Sequence, residues 1–394
     1  MLLGLVGKPS AGKSTFFKAA TLAEIEIASY PFTTIKANHG VGYVKVDCIE
    51  KEFNTKCNPN HGFCIDSKRF VPVELMDVAG LVKGASEGKG LGNQFLDDLR
   101  QADAFIQIVD VSGTTDEKGQ PTKDHDPVED VLFLEEELDL WYYNILQKVW
   151  RGFARKTEME KSKFSEAVAK QFSGLKVSEE NVKEVLRKLS LPEKPTSWSK
   201  EQVKEFASKL RKVSKPMIIV ANKVELEKGE ENYLKLKEKF LDYIIISCSA
   251  DSELALRQAA KAELIDYIPG EKTFEIKKEL SVEQKDALNK IKENVLEKFE
   301  FGTGVQEVLN RAVFDLLKYI AIFPASANRL ADSKGNILPD CFLLPGGSTA
   351  LDFAYHLHTD FGKGFIKAID ARTKVARGKE YELKHRDALE IVCR

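Results

Sequence analysis

The stretch Met1-Leu-Leu-Gly-Leu-Val-Gly7-Lys8-Pro9-Ser10-Ala11-Gly12-Lys13-Ser14-Thr15 decides the fold. Leu2 to Val6 is a short apolar run, the pattern of a buried strand. From Gly7 to Ser14 every fixed position of Gly-x-x-x-x-Gly-Lys-Ser/Thr is filled, with Pro9, Ser10 and Ala11 inside the loop. The glycines let the backbone curl so that successive N–H groups point inward at phosphate oxygens. Lys13 adds a point charge for the β and γ phosphates, and the Ser14 hydroxyl suits Mg²⁺. Thr15 starts a helix whose positive end faces the same anion. A chance glycine loop would not bring a strand before it and a helix after it.

A length of 394 residues bounds the chain to two or three domains, and 43% hydrophobic with 30% charged residues marks a globular protein with an ample core. The formal net charge of −2 argues against a general nucleic-acid polycation, while leaving local patches. No run approaches the about 18 apolar residues of a membrane span, and the N-terminus lacks the features of a secretory leader. Six cysteines fit a reducing compartment. Cys57 and Cys64 bracket His61, but no second Cys/His pair stands nearby at metal-ligand spacing, so they read as ordinary loop thiols.

Beyond the first helix, the hydroxyls of Ala28-Ser-Tyr-Pro-Phe-Thr33-Thr34 would alone read as a plain turn. Behind a phosphate loop they suit a γ-phosphate sensor, with Thr34 rather than Thr33 completing the Mg²⁺ shell. Phe70 to Met76 reads as a strand ending at Asp77-Val-Ala-Gly80. A carboxylate there is the Walker-B arrangement, Asp77 reaching Mg²⁺ through water. Gly80 would offer its N–H to the γ-phosphate. Gly84, Gly88, Gly90 and Gly92 then read as a mobile switch loop.

Ala104 to Val111 is a buried strand, and the next comparable one begins only at Pro216. One βαβ crossover needs about 30 residues, so an insertion lies between. Val128, Val131, Leu134, Leu138, Trp141, Ile145 and Val149 recur at helical spacing, and three further helices are expected by Val213. A narrow apolar stripe suggests a helical arm folded back on itself. Its distal part is basic, including Lys148, Arg151, Arg155 and Lys156, but mixed with glutamates. A solvated face and an RNA-binding face both fit. Asn222-Lys223-Val224-Glu225 follows the Pro216 strand, where guanine-nucleotide proteins place Asn-Lys-x-Asp. The carboxylate would pair with guanine N1–H and N2–H₂, here from a Glu one methylene longer, and the Lys stem would cover the purine. Ser249-Ala250 closes a last strand, with the Ala250 N–H placed for guanine O6. Helices are expected over 282–299 and 304–319, a boundary at Phe323, and then a compact α+β unit with a basic end from Lys363 to Arg386.

In this order, these motifs resemble those of the YchF-type branch of the Obg-like GTPases. The tail with Leu344-Pro-Gly-Gly-Ser-Thr-Ala-Leu-Asp-Phe-Ala resembles a TGS domain. The resemblance spans nearly the whole chain. It implies an α/β fold: a Ras-like P-loop NTPase with a mostly parallel sheet over residues 1–127 and 214–321, an inserted coiled-coil-like helical arm over 128–213, and a β-grasp TGS domain over 322–394. It implies a cytoplasmic, ribosome-associated nucleotide hydrolase, expected to act as a monomer through ribosomal RNA, engaging neither DNA nor membrane. It puts Leu81 where Ras-like proteins have the catalytic Gln. Ser10 replaces the family's usual Asn, which in some members helps hold a potassium ion, and so counts against K⁺. Many YchF proteins lose the specificity Lys and Asp together and accept ATP. Retention of Lys223 with Glu225 leaves the base choice open, with GTP the expected preference. The alternatives are a slow ATP-preferring hydrolase and a nucleotide-sensing regulator or scaffold.

Overall fold

The computed structural model describes residues 1–21, 38–78, 99–159, 163–326, 330–332 and 334–394. Thr33, Thr34, Gly80, Leu81 and the glycine-rich loop lie outside the described residues. The first sheet comprises β1 Leu2–Val6, β2 His39–Asp47, β3 Phe63–Ile65, β4 Lys68–Asp77, β5 Ala104–Asp110, β6 Met217–Asn222 and β7 Ile245–Cys248. The order is β2-β4-β1-β5-β6-β7, with β3 on β4. Strands β4, β1, β5, β6 and β7 run parallel, while β2 and β3 are antiparallel to β4. β1, β5, β6 and β7 are buried along their whole length. Covered on both faces, they read as unbroken apolar runs rather than alternations. The parallel strands bring their C-terminal ends to one edge, Leu5 in register with Asp77 and Asp110 with Asn222. Ligands of open α/β sheets sit at such an edge.

One face is covered by α1, Lys13–Thr21, whose Phe16, Ala19 and Ala20 pack with Leu3, Leu5 and Ile106. Against the other face stand α2 Pro127–Met159, α3 Phe164–Gln171, α4 Glu179–Lys188 and α5 Lys200–Ser214. Both α4 and α5 begin in reciprocal capping boxes, Ser178 with Asn181 and Ser199 with Gln202, which satisfy donors at each helix start. The narrow seam expected of the insertion is not what holds it. Trp198 stands 5.2 Å from Trp150 and 5.3 Å from both Phe164 and Phe206, ring centre to ring centre. This aromatic core runs through Leu138, Tyr142 and Phe172 into Leu2, Val6 and Phe105 of the sheet. The stripe on α2 is thus one wall of a core shared with the first domain.

After β6 come α6 Gly229–Lys239, α7 Ala250–Lys261, the hairpin β8 Ile265–Tyr267 and β9 Phe274–Ile276, α8 Val282–Ile291 and α9 Val305–Asn310. The last two are shorter than expected, each extended by a π-helical stretch, Lys292–Leu296 and Arg311–Leu316. Lys318 then turns left-handed, with φ 56°. The chain continues as β10, Tyr319–Pro324, a strand where helix and boundary were expected. It joins β11 Phe342–Pro345, β12 Phe365–Asp370, β13 Ala376–Arg377 and β14 Ala388–Cys393 in the order β11-β10-β14-β12-β13. A division between residues 321 and 322 would cut this strand. Its residues serve different cores: Ala321 packs with α1 and α9, Ile322 with Leu344 and Phe353. α10 Ala350–Leu357, capped by Thr349 with Asp352, and α11 Thr359–Lys363 lie in the same C-terminal unit.

Candidate functional site

The loop from β1 to α1 has a shape that side chains would spoil. Gly7 and Gly12 adopt φ of 146° and 97°. A Cβ on Gly7 would lie 2.4 Å from the Ile108 carbonyl oxygen, and one on Gly12 2.2 Å from Asn222 Nδ2. Ser10 is left-handed and exposed, Pro9 and Thr15 are half-buried, and Ala11 is buried. The buried Lys13 ammonium donates to the carbonyls of Gly7 at 3.1 Å and Lys8 at 2.8 Å. Burial lowers its pKa to about 8, against the opposing pull of Asp77. A cation so desolvated is matched to an incoming anion. Beside it, Ser14 Oγ donates to Asp77 Oδ2 at 2.9 Å. A hydroxyl and a carboxylate at that separation form a donor set suited to a hard divalent cation such as Mg²⁺.

The other half of the site is built from the ends of β5, β6 and β7. Asn222 bridges two elements: its Nδ2 donates to the Ala11 carbonyl at 2.9 Å, and its Oδ1 accepts from the Ala250 N–H at 3.1 Å. The Ala250 N–H, expected to face guanine O6, is thus engaged by Asn222 in this structure. Lys223, left-handed at φ 66°, donates to Ser10 O at 3.1 Å and Asp110 Oδ2 at 2.7 Å. Its ammonium ties the phosphate loop to β5, and its stem is what remains to cover a base. Glu225 has one buried carboxylate oxygen, Oε2, with no hydrogen-bond donor. Burial raises its pKa, opposed by hydrogen bonds from its own backbone and from Ser249. Ser249 is buried, with its Oγ 2.7 Å from Ser252 Oγ. An orphaned carboxylate oxygen here fits an absent N–H donor.

Two participants were missed in the sequence. Asp110 ends β5 as Asp77 ends β4, and it is fully buried. Burial would raise its pKa, but hydrogen bonds from Lys223, Ser112 and Thr115 prevail and hold it below the usual range. Its signal was the same, a carboxylate closing an apolar strand, but no named motif contains it. Lys8, a variable position of the phosphate-loop motif, forms a buried ion pair with Asp130 at 2.8 Å and donates to Thr115 O at 2.7 Å. Asp130 lies in the first turn of α2 and also meets His125 at 2.8 Å. The phosphate loop is therefore clamped to the base of the inserted helices.

The chain is similar to known proteins over most of its length. A 50S ribosome-binding GTPase family model matches residues 2–138, an Obg-like GTPase YGR210-like, G4 motif-containing domain matches 220–326, and a TGS domain matches 334–393. A GTP-binding protein of Methanocaldococcus jannaschii is 50% identical over 99% of this chain and 98% of its own length. The ribosome-binding ATPase YchF of Bacillus subtilis is 29% identical over 93% of this chain and 86% of its own. The crystal structure of a GTP binding protein from Pyrococcus horikoshii OT3 matches with a TM-score of 0.81 at 44% identity, covering 100% of both chains. The chain belongs to the YchF-type, Obg-like P-loop GTPases that carry a C-terminal TGS domain.

Proposed function

We propose that this protein is a Mg²⁺-dependent nucleotide hydrolase that prefers GTP and works as a slow switch on the ribosome. The observation that carries the reading is that one sheet edge holds both a desolvated cation and a carboxylate oxygen without a donor. A desolvated Lys13 ammonium stands beside the Ser14–Asp77 pair, and Glu225 keeps an oxygen without a donor. In this reading Gly7 to Ser14 cradle the phosphates and Lys13 meets the β and γ oxygens. Asn222, Lys223 and Glu225 hold the base, with Ser249 and Ala250 behind them. Ser14, Asp77 and Thr34 would hold Mg²⁺, which when bound neutralises charge on the transferring phosphoryl group. Gly80 would meet the γ-phosphate. Leu81 can neither donate to nor accept from a water, so turnover should be slow until a partner supplies the missing positioning.

Ribosome association is supported by the names of relatives and by exposed Lys148, Arg151 and Arg155 on the distal half of α2. Phosphate release from GTP by the purified chain tests both parts. We expect slow, Mg²⁺-dependent release without an acceptor, faster with ribosomes. Replacing Arg151, Arg155 and Lys156 together by Glu should abolish ribosome co-sedimentation and the acceleration, and leave GTP affinity unchanged. Contacts to phosphates make such binding salt-sensitive as well. Release that requires an acceptor would point to a phosphotransferase. Co-sedimentation indifferent to salt and to the triple variant would return the arm to a solvated helical face.

A further inference from the structure

We propose that Cys48, Glu50, Cys57 and Cys64 form a structural zinc site beneath the C-terminal domain. The sequence shows only the Cys57/Cys64 pair at an unremarkable spacing. The fold adds two ligands. β2 ends at Asp47, and the short 3₁₀ turn Ile49–Phe53 reverses the chain. That turn lays Glu50 over Cys48, while Cys64 comes in on β3. The three sulfurs and a carboxylate oxygen all lie within 4.8 Å of one another. Cys48 Sγ is 3.8 Å from Cys57 Sγ, and Cys64 Sγ is 3.8 Å from Glu50 Oε1. Zn–S bonds of about 2.3 Å in a tetrahedron place sulfurs about 3.8 Å apart. The Cys48 and Cys57 sulfurs therefore already stand at the edge length of that polyhedron, well beyond the about 2.05 Å of a disulfide bond.

The surroundings point to a cation. Glu50 is 7% exposed, and among the described residues no basic side chain pairs with it. Its second oxygen accepts the Cys57 N–H at 2.8 Å. This is the kind of outer hydrogen bond that orients a metal-binding carboxylate. Cys48 and Cys57 are buried too. A metal would supply the opposite charge that this buried, hydrogen-bonded carboxylate lacks among the described residues. Three sulfurs and one oxygen in four-fold array suit Zn²⁺, since thiolates are soft donors and the carboxylate is a hard one. On binding, the three thiols would release their protons to solvent, and no electron transfer is involved.

The site has work to do there. The loop between Cys48 and Cys64 is the surface on which the C-terminal domain rests. Asn58 and Asn60 donate backbone N–H groups to the carbonyls of Ile337 and Pro339, each at 2.8 Å. Glu52 pairs with Arg372 and Arg386. Cys48 and Cys57 pack with Phe323, Leu338 and Ala388. A metal would fix the loop that holds the two domains together.

The test uses the full chain under reducing conditions. Elemental analysis should find about one zinc per chain. After removal with a chelator, adding Zn²⁺ should raise Tm, and adding Co²⁺ should give a thiolate-to-cobalt charge-transfer band with tetrahedral visible absorption. Cys57→Ser and Cys64→Ser should weaken metal binding at least about ten-fold, and Cys393→Ser, outside the cluster, should not. If the serine variants fail to fold, the cobalt titration of the wild type still decides. A reduced wild-type chain that takes up no zinc and shows no charge-transfer band would overturn the proposal, as would cysteine variants that bind as the wild type does.

Discussion

Lys13→Ala should reduce single-turnover GTP hydrolysis by at least about a hundred-fold, and Asp77→Asn by a comparable factor. Lys13→Ala removes positive charge from the place where the loose phosphoryl transition state spreads its negative charge, and Asp77→Asn would weaken the hold on the Mg²⁺ that does the same. Lys13 is buried and its hydrogen bonds go to two carbonyls, and the nearby Asp77 keeps its hydrogen bond from Ser14 when the ammonium is removed, so melting should change little. The pH dependence has a definite sign. The free ammonium titrates at about 8 because burial disfavours its charge. A bound triphosphate favours the charged form and raises that value. GTP binding above about pH 8 should therefore take up a proton, and affinity should fall as pH rises through 8. Buffers of different ionisation enthalpy in calorimetry would reveal the uptake. A Lys13→Ala protein hydrolysing within a few-fold of wild type would refute the assignment.

The second large effect is on stability. Asp130→Ala should cost about 3–5 kcal/mol, because it leaves the Lys8 ammonium buried without its partner. The two side chains are 1% and 5% exposed, so water screens the pair little. The affinity for GTP should fall as well, since Lys8 is part of the phosphate loop. Replacing both at once, Lys8→Met with Asp130→Leu, should recover most of the stability, because no unpaired charge is then buried. Denaturant unfolding of the single and double variants reads this out. A single-variant loss under about 1 kcal/mol would show the clamp to be ornamental.

These two cases mark what was legible in the sequence. Gly7, Gly12 and Lys13 could be read because a phosphate cradle needs backbone shapes that few residues allow, and the motif is local. Asp77 was read by its place after the cradle. Asp110 carries the same strand-end signal, but its meaning depends on Lys223, which reaches it only across the sheet. Lys8 is free in the motif, and its partner Asp130 comes from the helix that opens the insertion. The stripe on α2 was visible as a periodicity. The aromatic core was not, since Trp150, Phe164, Trp198 and Phe206 come from separate segments whose packing no spacing encodes. β10 was misread because Pro324 and the Ala-Ser-Ala after it look like a linker. Its alternate residues face different cores, so it lacks the one-sided pattern of an exposed strand. Cys48 was missed because the turn that folds it against Cys57 and Cys64 has no cysteine signature.

The most direct measurement of the central claim is a calorimetric titration of the chain with GTP and ATP in Mg²⁺. Guanine offers donors to the free Glu225 oxygen, whereas adenine offers an acceptor at N1. A bidentate contact to a base carries about 1–3 kcal/mol of discrimination. GTP should bind at one site per chain and more tightly than ATP, with ATP still bound measurably because the longer Glu side chain weakens the pair. Glu225→Asp should widen the gap. ATP binding as tightly as GTP, or a preference indifferent to Glu225→Ala, would contradict this account.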